Sequence, residues 1–83
     1  MIFQVKVVVT PKRGILDPQG RAVEQSLKSL GFGQVAGVRV GKYIALGVEA
    51  ASADEARQVA ARMCEQLLAN TVIEDYRVEV ASG

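Results

Sequence analysis

The 83-residue chain is 49% apolar, and its ten basic and nine acidic residues leave a net charge of +1. This apolar content excludes a disordered chain, and the balanced charge without a basic block argues against a nucleic-acid or anionic-membrane surface. With no histidine and one cysteine, the chain has no intrachain disulfide, and we expect neither a metal site nor catalytic residues.

The start of the chain does not resemble a secretory signal, and no apolar run reaches about 18 residues. We therefore expect a cytoplasmic protein. A single domain of this size has a marginal core, so oligomerisation is an expected source of stability.

The first predicted element is a strand from Ile2 to Thr10, which is rich in β-branched residues. Its alternation places four apolar side chains on one face: Phe3, Val5, Val7 and Val9. A helix follows from Pro18 to Leu30, with Asp17 as its N-cap. Gly31 and Phe32 then predict a Schellman-type ending.

The middle segment, residues 35–49, carries five apolar residues of one parity: Val38, Val40, Ile44, Leu46 and Val48. A two-residue hairpin at Gly41-Lys42 splits this set between two faces. Two arrangements keep it together, a hairpin with a three-residue loop at 41–43 or one long strand bent near Gly41. We favour the long strand, whose free half needs a second copy to cover its backbone groups. This predicts a homodimer.

A second helix is predicted to begin at a capping box formed by Ser52 and Glu55 and to end at Asn70 in a left-handed conformation. Cys64 lies on this helix among apolar residues and is expected to be a buried thiol. A last strand is expected over 76–80.

This order of elements, β-α-β(β)-α-β, predicts an α+β fold with two helices on one face of an antiparallel sheet. It is related to the ferredoxin-like arrangement. We expect residues 1–83 to form one domain.

Two glycine-containing segments have residue spacings similar to those of nucleotide-binding motifs but lack the structural context that such motifs need. Gly31 to Ala36 has the letters of a dinucleotide fingerprint but closes a helix instead of opening one. Gly37 to Lys42 is one residue short of a P-loop and lacks the Ser or Thr for magnesium. We therefore predict no nucleotide site in this chain.

Arg39, Lys42, Tyr43, Arg77 and Lys6 suggest a basic and aromatic sheet face. Such a face is typical of sheet-based RNA binders, or of a protein interface. The aromatic RNA-binding signature is missing, so the interface interpretation is favoured.

Four sequence segments, in their order and spacing, resemble the PurS subunit of bacterial and archaeal phosphoribosylformylglycinamidine synthase, and the resemblance extends from the start of the chain to about Val80. The resemblance rests on residues Leu16 to Gly20, Leu30 to Phe32, Val38 to Lys42, and Met63 to Tyr76.

This resemblance implies a non-catalytic small subunit of a glutamine-hydrolysing, ATP-dependent ligase of purine biosynthesis. It implies that the chain bridges a large synthetase subunit and a glutaminase subunit and supports ammonia transfer between them. ATP and magnesium are then bound by the large subunit, and no cofactor by this chain. The implied assembly is a homodimer, with a tetramer left open.

Candidate subunit-interface residues are chosen for their expected exposure: Lys12, Arg13, Arg39, Lys42, Tyr43, Asp75, Tyr76 and Arg77. A free-standing ferredoxin-like module that binds RNA or a small ligand is the alternative function.

Overall fold

The structure, a computed structural model that describes residues 1–81, has a three-stranded antiparallel sheet and two α-helices. Its elements in chain order are β1 (Ile2–Pro11), α1 (Pro18–Ser29), β2 (Lys42–Glu49), α2 (Ala53–Met63), a π-helical turn (Cys64–Leu68) and β3 (Glu74–Ala81). The strand order is β2-β1-β3, which makes β1 the central strand. The predicted α+β class, with an antiparallel sheet and two helices, is confirmed.

The core lies on the face of β1 that the sequence alternation predicts. Its four apolar side chains, Phe3, Val5, Val7 and Val9, are all buried. Val7 pairs with Ile44 on β2 and with Val78 on β3. Burial of this apolar area against α2 is the main source of stability in the sheet layer.

Helix α2 covers that face with small side chains. Ala56, Ala60 and Cys64 follow one another at intervals of four residues, and none of them is exposed. Their size brings the helix close to the sheet. The Ser52 hydroxyl caps the helix by accepting a hydrogen bond from the Glu55 amide at 3.1 Å, as the capping pattern predicts.

The end of α2 differs from the prediction. Among residues 1–81 no residue other than glycine has a positive φ, so Asn70 is not left-handed. The helix instead widens into a π turn in which the Ala69 amide donates to the Cys64 carbonyl at 3.0 Å. A π turn places residues i and i+5 on one face, which explains why both Cys64 and Ala69 are buried.

Helix α1 ends as predicted, in a Schellman motif. The Phe32 amide donates to the Leu27 carbonyl at 3.0 Å, and the Gly31 amide donates to the Lys28 carbonyl at 3.1 Å. Gly31 has a φ of +101°, a conformation that glycine adopts without steric cost.

The position of α1 corrects the expectation that both helices cover one face of the sheet. Only α2 packs on the sheet, and the one buried residue of α1 is Gly20. Val23 in α1 and Leu30 at its end, two apolar residues whose spacing places them on one side of the helix, are exposed. We call residues 17–40, which comprise α1 and the segment that returns from it, the arm.

The middle segment corrects both predicted arrangements. It is neither a hairpin nor one continuous strand, because pairing with β1 begins only at Lys42, opposite Val9. Before that point the chain follows α1, so its amides bond to side chains of the helix instead of to a strand. The predicted parity nevertheless holds on both sides of Gly41, with Val38 and Val40 half-buried in the arm.

The arm makes the molecule long and thin. The principal extents are 50 × 26 × 14 Å and the radius of gyration is 16.0 Å, whereas a compact chain of this length has a radius of about 12 Å. No helix in the described part of the chain is long and apolar enough to cross a membrane.

Candidate functional site

A groove of about 820 Å³ lies between the loop after β1 and the arm. We call it the basic groove because four cationic side chains line it: Lys12, Arg13, Arg21 and Arg39. The loop contributes the first two, α1 the third and the returning segment of the arm the fourth. Asp17 and Glu24 are its acidic lining residues.

Both oxygens of the Asp17 carboxylate accept hydrogen bonds within the arm. One oxygen accepts the Gly20 amide at 3.0 Å, which caps α1, and the other accepts the Val40 amide at 3.0 Å. These two bonds, that from Gly20 first, lower the pKa of Asp17 below its ordinary value.

Glu24 has the same role two turns further along the helix. One of its oxygens accepts the Val38 amide at 3.2 Å, and the other lies 3.4 Å from the Lys28 ammonium. The bond from Val38, followed by the interaction with Lys28, lowers the pKa of Glu24. Two carboxylates of α1 therefore satisfy the amides that a neighbouring strand otherwise binds.

The cations of the basic groove have few anionic partners. Arg39 donates to the Pro11 carbonyl at 3.1 Å, which orients its side chain across the groove. Lys12 lies 4.0 Å from Asp75, an exposed and weak pair. Arg13 and Arg21 form no ion pair with any other residue in the range 1–81.

Three of the eight predicted interface residues, Lys12, Arg13 and Arg39, come together in the basic groove. Arg21 belongs to the same groove, and the sequence reasoning missed it because α1 was expected to pack on the sheet. Its position four residues after the N-cap Asp17 was the available signal, since that spacing places both on one side of the helix.

The other predicted residues lie elsewhere. Lys42, at the start of β2, donates to the Leu68 carbonyl at 3.4 Å. Tyr43 and Arg77 flank Val8 on the face of the sheet opposite the core, and Tyr43 is exposed. Asp75 lies on the same side of β3 as Arg77, two residues nearer the start of the strand. Six of the eight residues therefore lie in two separate places, the basic groove and the outer face of the sheet, and Lys42 and Tyr76 belong to neither.

Tyr76 faces the core side of the sheet instead of the outer face. A hydrogen bond between its hydroxyl and the Glu65 carboxylate, followed by desolvation, raises the pKa of Tyr76. Burial, with the Glu65 charge beside it, also raises the pKa of the Cys64 thiol. The raised pKa keeps this thiol protonated near neutral pH, and its side chain is fully buried as predicted.

Within the described residues, no three side chains of histidine, cysteine, aspartate or glutamate come together to hold a metal ion. The geometry of the basic groove is suited to the binding of carboxylates or other anions, because unpaired guanidinium groups form strong charge-assisted hydrogen bonds with them.

Comparison with known proteins connects this architecture to one family. The family model PurS, described as phosphoribosylformylglycinamidine (FGAM) synthase, matches residues 4–82. The phosphoribosylformylglycinamidine synthase subunit PurS of Bacillus subtilis (strain 168) is 49% identical over 79 residues, which are 95% of this chain and 93% of that protein.

Solved structures agree with this match along almost the whole chain. A B. subtilis PurS structure is 48% identical, with a TM-score of 0.83 and coverage of 96% of this chain and 99% of that one. A chain in the structure of PurLQS from Thermotoga maritima is 32% identical, with a TM-score of 0.88 and coverage of 98% and 99%. The chain therefore belongs to the PurS family of phosphoribosylformylglycinamidine synthase subunits.

Proposed function

We propose that this chain is the small bridging subunit of a phosphoribosylformylglycinamidine synthase and that it acts through its surfaces. The observation that carries the proposal is the family match from residue 4 to residue 82. The relation to a chain of the PurLQS structure supports assembly with a synthetase subunit and a glutaminase subunit. The complex is a ligase of purine biosynthesis, and the cytoplasm is the compartment that we propose for it.

The shape of the chain supports a bridging role. A molecule 50 Å long with an arm that stands away from its sheet presents separate surfaces to two partners. Ammonia released by a glutaminase must reach the synthetase without loss to bulk water, and a subunit that seals the contact between them protects it. This role needs no catalytic group in the chain itself.

We propose that the chain forms a homodimer, and the surface of the arm supports this proposal. Leu30 and Phe32 of the arm, and Leu16 directly before it, are more than half exposed, and exposed apolar side chains of this size are typical of protein interfaces. Residues 35–41 carry backbone groups that β1 does not pair, and a second copy of the chain is a suitable partner for them. A tetramer is compatible with the same surface.

ATP and magnesium are proposed to bind to the large synthetase subunit and not to this chain. The glycine-containing segment 31–36 supports this assignment, since it ends α1 in a Schellman motif. A phosphate-binding segment instead opens a helix, where free amides face the ligand.

The test is glutamine-dependent amidine synthesis by purified large and glutaminase subunits from the same organism, with and without this chain. Activity that requires all three proteins supports the proposal. Equal activity with and without the chain contradicts it and favours a free-standing binding module. That module predicts salt-dependent binding of single-stranded RNA, or thermal stabilisation by a small metabolite.

A further inference from the structure

We infer that the basic groove binds an acidic segment of a partner subunit and that Arg13 and Arg21 are its main contacts. This inference rests on the proposed function, because it assigns a partner to one surface of the bridging subunit. The occupant is a stretch of polypeptide with two or more carboxylates next to apolar side chains.

The charges of the groove are not neutralised from within. Its four cations face two carboxylates, and all four oxygens of those carboxylates already have partners. Asp17 bonds to the Gly20 and Val40 amides, while Glu24 interacts with the Val38 amide and with Lys28. The four cations outnumber the two carboxylates, so the groove keeps an excess of positive charge.

Arg13 and Arg21 are the two cations of the groove whose side chains have no hydrogen bond or ion pair within residues 1–81. Both are exposed. Arg39 is already held by the Pro11 carbonyl and Lys12 interacts weakly with Asp75. A guanidinium group binds a carboxylate through two parallel hydrogen bonds, which gives direction as well as affinity.

The apolar lining favours a polypeptide over a phosphate. Leu16 is 70% exposed and Ile15 is 39% exposed beside the two arginines, and such side chains gain from contact with apolar groups of a protein partner. A phosphate prefers the free amides of a helix N-terminus. In α1 the Gly20 amide already donates to the Asp17 carboxylate, so that amide is not free for a phosphate.

The experiment compares two double variants that change the net charge equally. Arg13→Glu with Arg21→Glu reverses the charge of two arginines in the groove. Arg57→Glu with Arg62→Glu reverses the charge of two exposed arginines on α2. Each protein is titrated with the purified large subunit and with the glutaminase subunit at 50 and 300 mM salt. For at least one partner, the groove variant is expected to bind at least about tenfold more weakly and to lose most of its salt dependence. The α2 variant should stay within about twofold of the unmodified chain.

Two results overturn the inference while the proposed function stands. In the first, the unmodified chain supports amidine synthesis, and the groove variant binds the partner subunits as tightly as the α2 variant does. In the second, inorganic pyrophosphate binds the groove at submillimolar concentration and displaces the partner. This result would identify the groove as a phosphate site. Failure of the unmodified chain to support amidine synthesis instead contradicts the proposed function itself.

Two further measurements separate binding from folding and self-association. Thermal melting of the groove variant is expected to be close to that of the α2 variant, since all four arginines are exposed and the ion pair of Arg57 with Asp54 is an exposed pair of small energy. A milder pair, Arg13→Gln with Arg21→Gln, should weaken binding less than charge reversal does. If charge reversal turns an otherwise dimeric chain into a monomer, the groove is a contact between copies and the inference is wrong.

Discussion

Asp17 joins the two halves of the arm through the two oxygens of one carboxylate. The first oxygen holds the start of α1, and the second holds the returning segment at Val40. Glu24 repeats this connection at Val38. The arm is therefore fixed by charge-assisted hydrogen bonds to backbone amides, which take the place that a neighbouring strand has in a sheet.

These two carboxylates predict a pH dependence for the arm. Their folded-state pKa values are lowered by the amide bonds, so their contribution to stability is fully present above the ordinary values of 3.8 and 4.5. It is lost as the pH falls through the lower folded-state values. We expect hydrogen exchange of the Val38 and Val40 amides, corrected for the intrinsic pH effect, to lose protection in that acidic range. The Val7 amide in the central strand is the control, and loss of protection there at the same pH would contradict the prediction.

Gly20 allows the closest contact between α1 and the returning segment. A methyl group at this position overlaps the Asp17 carboxylate and the Val38 carbonyl. Gly20→Ala improves helix propensity by about 1 kcal/mol, but overpacking costs about 1–3 kcal/mol. We expect a net loss of stability in the arm, measured as faster exchange of the Val38 amide.

Gly33→Ala is the control for this substitution. No described atom lies within 4 Å of a methyl group built there. The Val38 amide of this variant should therefore exchange at the same rate as in the unmodified chain. If the Val38 amide exchanges more slowly in Gly20→Ala than in the unmodified chain, the gain in helix propensity outweighs the overlap of the added methyl group, and the prediction is wrong.

At the scale of elements, β1 holds the sheet together because it pairs with both other strands. Val7 lies at its centre and is completely buried. We expect Val7→Ala to lower the free energy of unfolding by about 2–3 kcal/mol, through lost burial and the cavity that remains. Urea denaturation measures this loss.

Val72→Ala makes the same chemical change at a residue that is 79% exposed. Its unfolding free energy should stay within about 0.5 kcal/mol of the unmodified chain. Equal losses for the two variants would contradict the assignment of Val7 to the core.

At the scale of the whole molecule, the exposed apolar end of the arm predicts self-association. Leu30 is 73% exposed and Phe32 is 51% exposed. We expect Leu30→Asp with Phe32→Asp to shift the chain toward monomer in sedimentation equilibrium, because two charges are then buried in an interface without partners. Leu67→Asp is the control, since Leu67 is 82% exposed but belongs to the π turn after α2. A chain that is monomeric before substitution would contradict the homodimer.

The cations at the junction of arm and sheet predict an effect on complex formation. Arg39 and Lys42 are exposed and make only single hydrogen bonds, to the Pro11 and Leu68 carbonyls. We expect their joint replacement by alanine to weaken assembly with the partner subunits and to change the melting temperature of the isolated chain little. Gel filtration of the mixed subunits measures assembly, and an unchanged complex would remove these two residues from the interface.

Local patterns predicted most of the elements because their causes are local. The alternation in β1 identifies the buried face, and the residues around Gly31 contain the whole Schellman motif. The caps at Asp17 and Ser52 were predicted for the same reason, since each bonds to an amide three residues away. The basic groove was only partly predicted. Lys12, Arg13 and Arg39 were chosen for their expected exposure, whereas Arg21 joins them only through the position of α1.

Sequence patterns were sufficient to predict the antiparallel α+β class, the core face of β1, the buried thiol of Cys64 and the resemblance to one family. The folded chain was needed to show that α1 lies away from the sheet and that residues 35–41 follow this helix. An amphipathic stripe shows that a helix has an apolar face but not what covers it. The carboxylates of Asp17 and Glu24 decided the path of the middle segment, because they bind amides 23 and 14 residues away. Contacts at that separation depend on how the chain closes in space, which no local pattern encodes.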